Sequence, residues 1–134
     1  MKAFRDAVEA GDFDGLGDLL AEDVVFRSPV AFKPYEGRPL VHAILRGVSR
    51  VFEDFHYVDE IGDGPSTALV FETRIGDARV HGCDFIRVGD DGLITELAVM
   101  VRPLSAARAL SEAMAAQFDQ ILTEATAEMP EGLR

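Results

Sequence analysis

The spacing of apolar residues changes once along this chain, near Phe55, and that change restricts the fold more than any other feature of the sequence. Before it, apolar residues recur at three- and four-residue steps, the period of helices packed on a core. After it they alternate, the period of strands with one face buried. Helices followed by a run of hairpin-linked strands predict an α+β fold: a cone-shaped curved antiparallel sheet wrapped around N-terminal helices.

Phe4, Ala7 and Val8 mark a first helix over residues 3–10, ended by Gly11. Asp12 caps a second, short helix carrying Phe13, Leu16, Leu19 and Leu20. Val24-Val25-Phe26 reads as a short strand closed by Ser28-Pro29, and residues 30–37 as a loop bearing Phe32 and Tyr35. Arg38-Pro39 opens the longest helix of this half, with Val41, Ile44, Leu45, Val48, Val51 and Phe52 on its apolar stripe. Four strands are then predicted over residues 55–61, 67–75, 79–88 and 93–102, separated by Gly-containing turns and ended by Pro103. Ala107, Leu110, Met114, Phe118, Ile121 and Ala125 continue at helical spacing, which predicts one extra C-terminal helix over 104–128. At 134 residues the chain suits a single domain, 1–134, with its core in about 3–103.

With 13 Lys and Arg against 24 Asp and Glu, the net charge is −11, and the basic residues are scattered. That excludes a phosphate-tracking surface and disfavours anionic membranes, so neither nucleic acid nor membrane is expected as a partner. No N-terminal apolar run follows a basic segment, and no stretch approaches the roughly 20 apolar residues of a spanning helix. The single Cys83 allows no internal disulfide, which fits a cytoplasmic location. His42, His56 and His81 lack metal-ligand spacing, and no dinucleotide, Walker-type or nucleophile-elbow motif occurs. No metal and no cofactor is therefore expected.

Asp84 is the one carboxyl set inside an otherwise apolar strand pattern. Alternation puts Val80, Gly82, Asp84, Ile86 and Val88 on one face, and burial there would hold the Asp84 carboxyl neutral at higher pH than usual, as a general acid requires. The competing reading is a carboxyl that only fixes the sheet. Gly82 would leave room for a ligand beside Asp84, or would mark a bulge. Phe26, Tyr35, Phe52, Phe55, Leu97, Val99 and Val101 supply a candidate apolar wall for a small apolar ligand. A two-residue Gly76-Asp77 turn pairs Leu69 with Asp84 and sends Glu72 to the outer face, whereas a one-residue bulge would bring Glu72 inside as a second carboxyl. His42, beside the apolar stripe of its helix, either meets solvent or reaches the pocket mouth. The outer face then carries Cys83, Phe85, Ala98 and Met100, an apolar set that predicts a homodimer through this surface.

The segments Ala10-Gly11-Asp12-Phe13-Asp14-Gly15-Leu16, Leu20 to Phe26, Tyr35-Glu36-Gly37-Arg38 and Asp84 to Val88 resemble, in order, the ketosteroid isomerase and nuclear transport factor 2-like superfamily, and within it the SnoaL-like polyketide cyclases. The resemblance implies an α+β cone with an apolar pocket at its open end, commonly in a homodimer, and gives Asp84 the position of the family's acid. It also exposes departures. Ser28 stands in the segment that holds the isomerase base, Phe4 stands for the isomerase tyrosine donor, and Val99 stands where related epoxide hydrolases carry an inward carboxylate. These replacements argue against steroid-type isomerisation and against epoxide hydrolysis. Two readings remain: a cofactor-independent acid–base enzyme of the isomerase or cyclase type using Asp84, and a non-catalytic module that binds an apolar ligand or serves as a dimeric accessory.

Overall fold

The computed structural model describes residues 1–133. It begins with α1 (Lys2–Glu9), which turns at Gly11 in the left-handed region (φ 73°), and continues through a 3₁₀ turn at Gly15–Leu19. Strand β1 (Leu20–Arg27) and the two-residue β2 (Tyr35–Glu36) precede α2 (Arg38–Val51). Four longer strands follow: β3 (Glu53–Asp63), β4 (Ser66–Ile75), β5 (Ala78–Val88) and β6 (Ile94–Arg102). Two helices, α3 (Leu104–Ala115) and α4 (Phe118–Glu128), complete the fold. The expected α+β class and the run of four strands both hold.

The strands form one sheet in the order β2-β1-β6-β5-β4-β3. All neighbours are antiparallel except β1 and β6, which run parallel, so the sheet is mixed where a purely antiparallel one was expected. The short β2 pairs with one edge of β1, and the chain reaches the other edge only with the last strand, β6, which runs in the same direction as β1. Phe4, Leu16, Leu20, Val24, Val41, Leu45 and Ile94 are buried between the helices and the sheet, making the core.

Three local expectations are corrected. The second helix is only a 3₁₀ turn, and Leu20 already belongs to β1. Asp12 Oδ1 accepts the Gly15 N–H at 3.0 Å, and the bare Cα of Gly17 lies against the imidazole of His42, so the chain hugs α2 too closely for a regular helix here. The predicted loop at 30–37 ends in a strand, since Tyr35 and Glu36 pair with Phe26 and Val25. The single C-terminal helix is broken between Ala115 and Phe118. Gln117 holds the break: its side-chain N–H donates to the Gly47 carbonyl at 3.1 Å, and its Oε1 accepts from Arg50 Nε at 2.5 Å.

The break lets α4 turn back along α2. Arg50 reaches Glu124 at 2.9 Å, and Arg46 links Asp14 at 3.0 Å to Glu128 at 2.5 Å. Ile121 and Ala125 are buried in the core beneath these ion pairs. The C-terminal segment is thereby fastened along α2. No helix among the described residues is long and apolar enough to cross a membrane.

Candidate active site

The register puts Asp84 opposite Leu69 on β4, as the pairing argument expected, and places Val99 of β6 on its other side. Along β5, Val80, Gly82, Asp84 and Ile86 are buried, while Arg79, Phe85 and Arg87 are exposed. Asp84, 8% exposed, faces an apolar chamber of about 160 Å³. Phe26, Phe52, Phe55, Leu97 and Val99 all line this chamber, as does Phe4 of α1. Its only other polar side chains are Ser49 and Tyr57.

Tyr57 is the residue that the sequence reading missed. It projects from β3 on the same face as Phe55, its ring meeting that of Phe55 edge-on at 5.0 Å between centroids. The Arg5 guanidinium covers the ring at 5.4 Å, itself held by Glu9 at 2.6 Å and Glu60 at 3.1 Å. The buried hydroxyl has no hydrogen-bond partner of ordinary geometry, yet it lies close enough to Asp84 for the two groups to shift one another. A second hydroxyl-bearing donor therefore stands beside the acid, supplied by β3, although Phe4 occupies the position where α1 would have provided one.

Burial dominates the electrostatics of this pair. Removal from water raises the Asp84 carboxyl from 3.8 to about 7, with Tyr57 pulling in the opposite direction by favouring the carboxylate. Burial and then the charge of Asp84 push the Tyr57 phenol well above its usual value, so it stays protonated. Near pH 7 the chamber thus offers one carboxyl poised between its two protonation states and one fixed O–H donor. Such a pair can give and take a proton at a carbon while holding an oxygen that gains negative charge.

The other candidate residues lie elsewhere. Gly82 does not open space for a ligand; a Cβ there would run into the ring of Phe71. Phe71 in turn stacks on Phe55 at 4.9 Å and packs beside Phe52 at 5.7 Å, so the glycine admits an aromatic wall of the chamber. Gly82→Ala is accordingly expected to destabilise the domain by about 1–3 kcal/mol through overpacking, measured as a lower midpoint in urea unfolding. Val101 packs with Phe71, Val80 and Ala106 outside the chamber. Tyr35 lines a neighbouring cavity together with Phe26. Ser28 lines that cavity too, and not the chamber holding Asp84.

Glu72 is exposed on the outer face opposite His81, with His56 Nε2 at 3.6 Å, as the two-residue turn predicted. His42 neither meets solvent nor reaches a pocket. It is buried, its Nε2 lying 2.7 Å from the Phe13 carbonyl oxygen and its Nδ1 2.8 Å from Glu128. Its work is to join the 3₁₀ turn and α4 to α2. No group of three or more His, Cys, Asp or Glu among the described residues could hold a metal ion.

Residues 1–97 match the SnoaL-like domain. The chain belongs to the SnoaL-like family. Among solved structures, it is similar to a steroid delta-isomerase from Pseudomonas aeruginosa, with 43% identity, 91% of this chain and 90% of that one covered, and a TM-score of 0.86. It is also similar to an uncharacterised protein with a cystatin-like fold from Silicibacter pomeroyi (35% identity, 90% and 87% covered, TM-score 0.84). A nuclear transport factor 2-like protein from Mesorhizobium loti, at 22% identity over 77% of this chain and 88% of that one, shares the fold with a TM-score of 0.68. No protein of curated function matches the chain. These likenesses agree with the cone and with the superfamily that the motifs resemble.

Proposed function

We propose that this SnoaL-like protein is a cofactor-independent enzyme that moves a proton from the α- to the γ-carbon of a small apolar β,γ-unsaturated carbonyl compound. The observation that carries the reading is the isolation of the Asp84–Tyr57 pair: one carboxyl titrating near pH 7 and one protonated phenol face each other in a chamber otherwise lined almost wholly by apolar side chains. The similarity to a protein named steroid delta-isomerase supports an isomerase chemistry of this kind.

The step follows from the two groups alone. With the substrate carbonyl oxygen accepting a hydrogen bond from the Tyr57 hydroxyl, the ionised Asp84 removes a proton from the adjacent carbon. The electrons of that C–H bond move toward oxygen, forming an enolate whose charge the Tyr57 donor stabilises. The neighbouring double bond makes this enolate a dienolate, and Asp84, now neutral, returns the same proton to its γ-carbon as it collapses. The carboxylate is regenerated and no oxidant, water or second base is consumed. Ser28 does not have to replace a second carboxylate in this scheme, because one residue is base and then acid.

A chamber of about 160 Å³ suits a single ring, since a cavity near 150 Å³ accommodates benzene. The test is 3-cyclohexen-1-one, whose conversion to the conjugated 2-cyclohexen-1-one is followed by ultraviolet absorbance. Conversion above the buffer rate, rising with pH through about 7 as Asp84 ionises, supports the proposal. Absence of conversion overturns it. If this ketone instead binds without reacting, more tightly at pH 5 than at pH 9, the neutral carboxyl is an anchor and the protein a binder.

We further infer that the functional unit is a homodimer in a reducing cytoplasm. On the outer sheet face Met100 (63% exposed) pairs with Cys83 and Phe85 (43% exposed) with Ala98, a contiguous apolar patch, and the one thiol has no partner for a disulfide. Sedimentation at micromolar concentration is expected to give twice the chain mass, reduced to one chain mass by Met100→Glu. A monomeric wild type contradicts this assembly.

A further inference from the structure

The chamber at Asp84 has a larger neighbour. A second apolar cavity of about 500 Å³ lies between the segment Ser28–Tyr35 and α3, and Phe26, Pro29, Val48 and Leu110 line both spaces. Its far wall comes from Ser111, Met114, Ala115 and Phe118, all beyond the residues that match the SnoaL-like domain. Ser111, Ala115 and Phe118 are exposed, so this cavity meets solvent, whereas Asp84 lies deep in the smaller one. The break at Gln117 and the Arg46, Arg50 and His42 contacts fix the C-terminal helices where they make this wall.

We propose that α3 and the start of α4 turn the ring-sized chamber into a two-compartment site for an elongated apolar carbonyl compound, whose carbonyl end sits at Asp84 and Tyr57 and whose tail lies against Ser111 and Met114. This rests on the carbonyl reading above for the inner end and on the shape of the outer cavity for the tail. The inner space holds about one ring. A ligand longer than that extends between Phe26, Pro29, Val48 and Leu110, which border both spaces, into the outer compartment. The outer walls have no charged side chain, so the tail they fit is alkyl or aryl. Ser111 and Ala115 are the specificity-determining positions: they are small, they border only the outer compartment, and they are exposed at the helix surface.

The experiment is isothermal titration calorimetry of the whole chain with 2-hexanone through 2-undecanone, and in parallel with toluene through hexylbenzene, which lack the carbonyl. Each methylene buried in the outer compartment is expected to tighten binding roughly two- to fourfold. The wild-type affinity ratio of 2-undecanone to 2-hexanone should then exceed about thirtyfold, and Ser111→Trp, filling the outer compartment, should reduce it below about fivefold. Ala115→Trp on the same helix gives the same reduction by a different plug and covers the case in which one variant fails to fold. A wild-type ratio near one overturns the proposal, as does a ratio that survives both tryptophans. If ketones do not bind while alkylbenzenes still show the length dependence and lose it in the tryptophan variants, the two compartments stand and the carbonyl assignment falls.

Discussion

Asp84→Asn is expected to reduce 3-cyclohexen-1-one conversion to the buffer rate and, at pH 8, to make the domain more stable than the wild type. The first effect follows from removing the sole carboxyl of the chamber, a loss of about 10² to 10⁴ in rate for a general acid–base group. The second follows from linkage. Below about pH 4 the Asp84 carboxyl is protonated in both folded and unfolded chains. Between pH 4 and 7 the unfolded chain releases its proton while the folded chain, with its carboxyl raised to about 7, retains it. Stability therefore falls as pH rises through this window and stays reduced above it. The rise from 3.8 to about 7 corresponds to at most about 4 kcal/mol. Asparagine does not titrate and escapes this loss. Urea unfolding of both proteins at pH 4, 6 and 8 checks it: the stability difference should grow in favour of the variant with pH. Were the variant equally destabilised at all three values, Asp84 would be a structural fixture of the sheet.

Tyr57→Phe is expected to lower the rate by about 10² to 10³, the typical cost of one donor to a developing oxyanion. Its effect on stability should be small where Asp84 is neutral, because the hydroxyl removed is buried without a hydrogen bond of ordinary geometry. The decisive readout is the pH profile. Tyr57 favours the ionised form of Asp84, so without it the carboxyl pKa rises and the limb of rising activity moves to higher pH. An unchanged midpoint with a lower rate would mean that Tyr57 only shapes the chamber. An unchanged rate would remove Tyr57 from the mechanism.

The strands and the pairing of β4 with β5 were legible because the hairpin turns are short and β5 keeps its alternation of buried and outward residues. The Gly76-Asp77 turn alone was enough to bring Leu69 opposite Asp84 and to turn Glu72 outward. Tyr57 was also within reach of that reasoning, since it shares with Phe55 the face that points inward. Other features had no local signal. The stripe from Ala107 to Ala125 has no Gly or Pro to announce a break, because Gln117 is bent by partners on α2 that are distant in sequence. His42 sits one position from apolar Val41 and Ala43, and its burial depends on a carbonyl from the 3₁₀ turn and a carboxylate from α4. The space beside Gly82 was visible as a missing side chain, but its occupant, Phe71, depends on how the neighbouring strand packs.

The parallel pairing of β1 with β6 also bears on the order in which this molecule can assemble. Phe26 meets Leu97 and Arg27 meets Ala98, so one side of an early strand waits for residues made some seventy positions later. The β3–β4–β5 hairpins can form from neighbours alone, but β1 cannot be enclosed until β6 exists. Contacts this distant slow folding. Until they form, a nascent chain presents the open edge of β1 and the apolar face of α2, and chaperone dependence should concentrate in this interval.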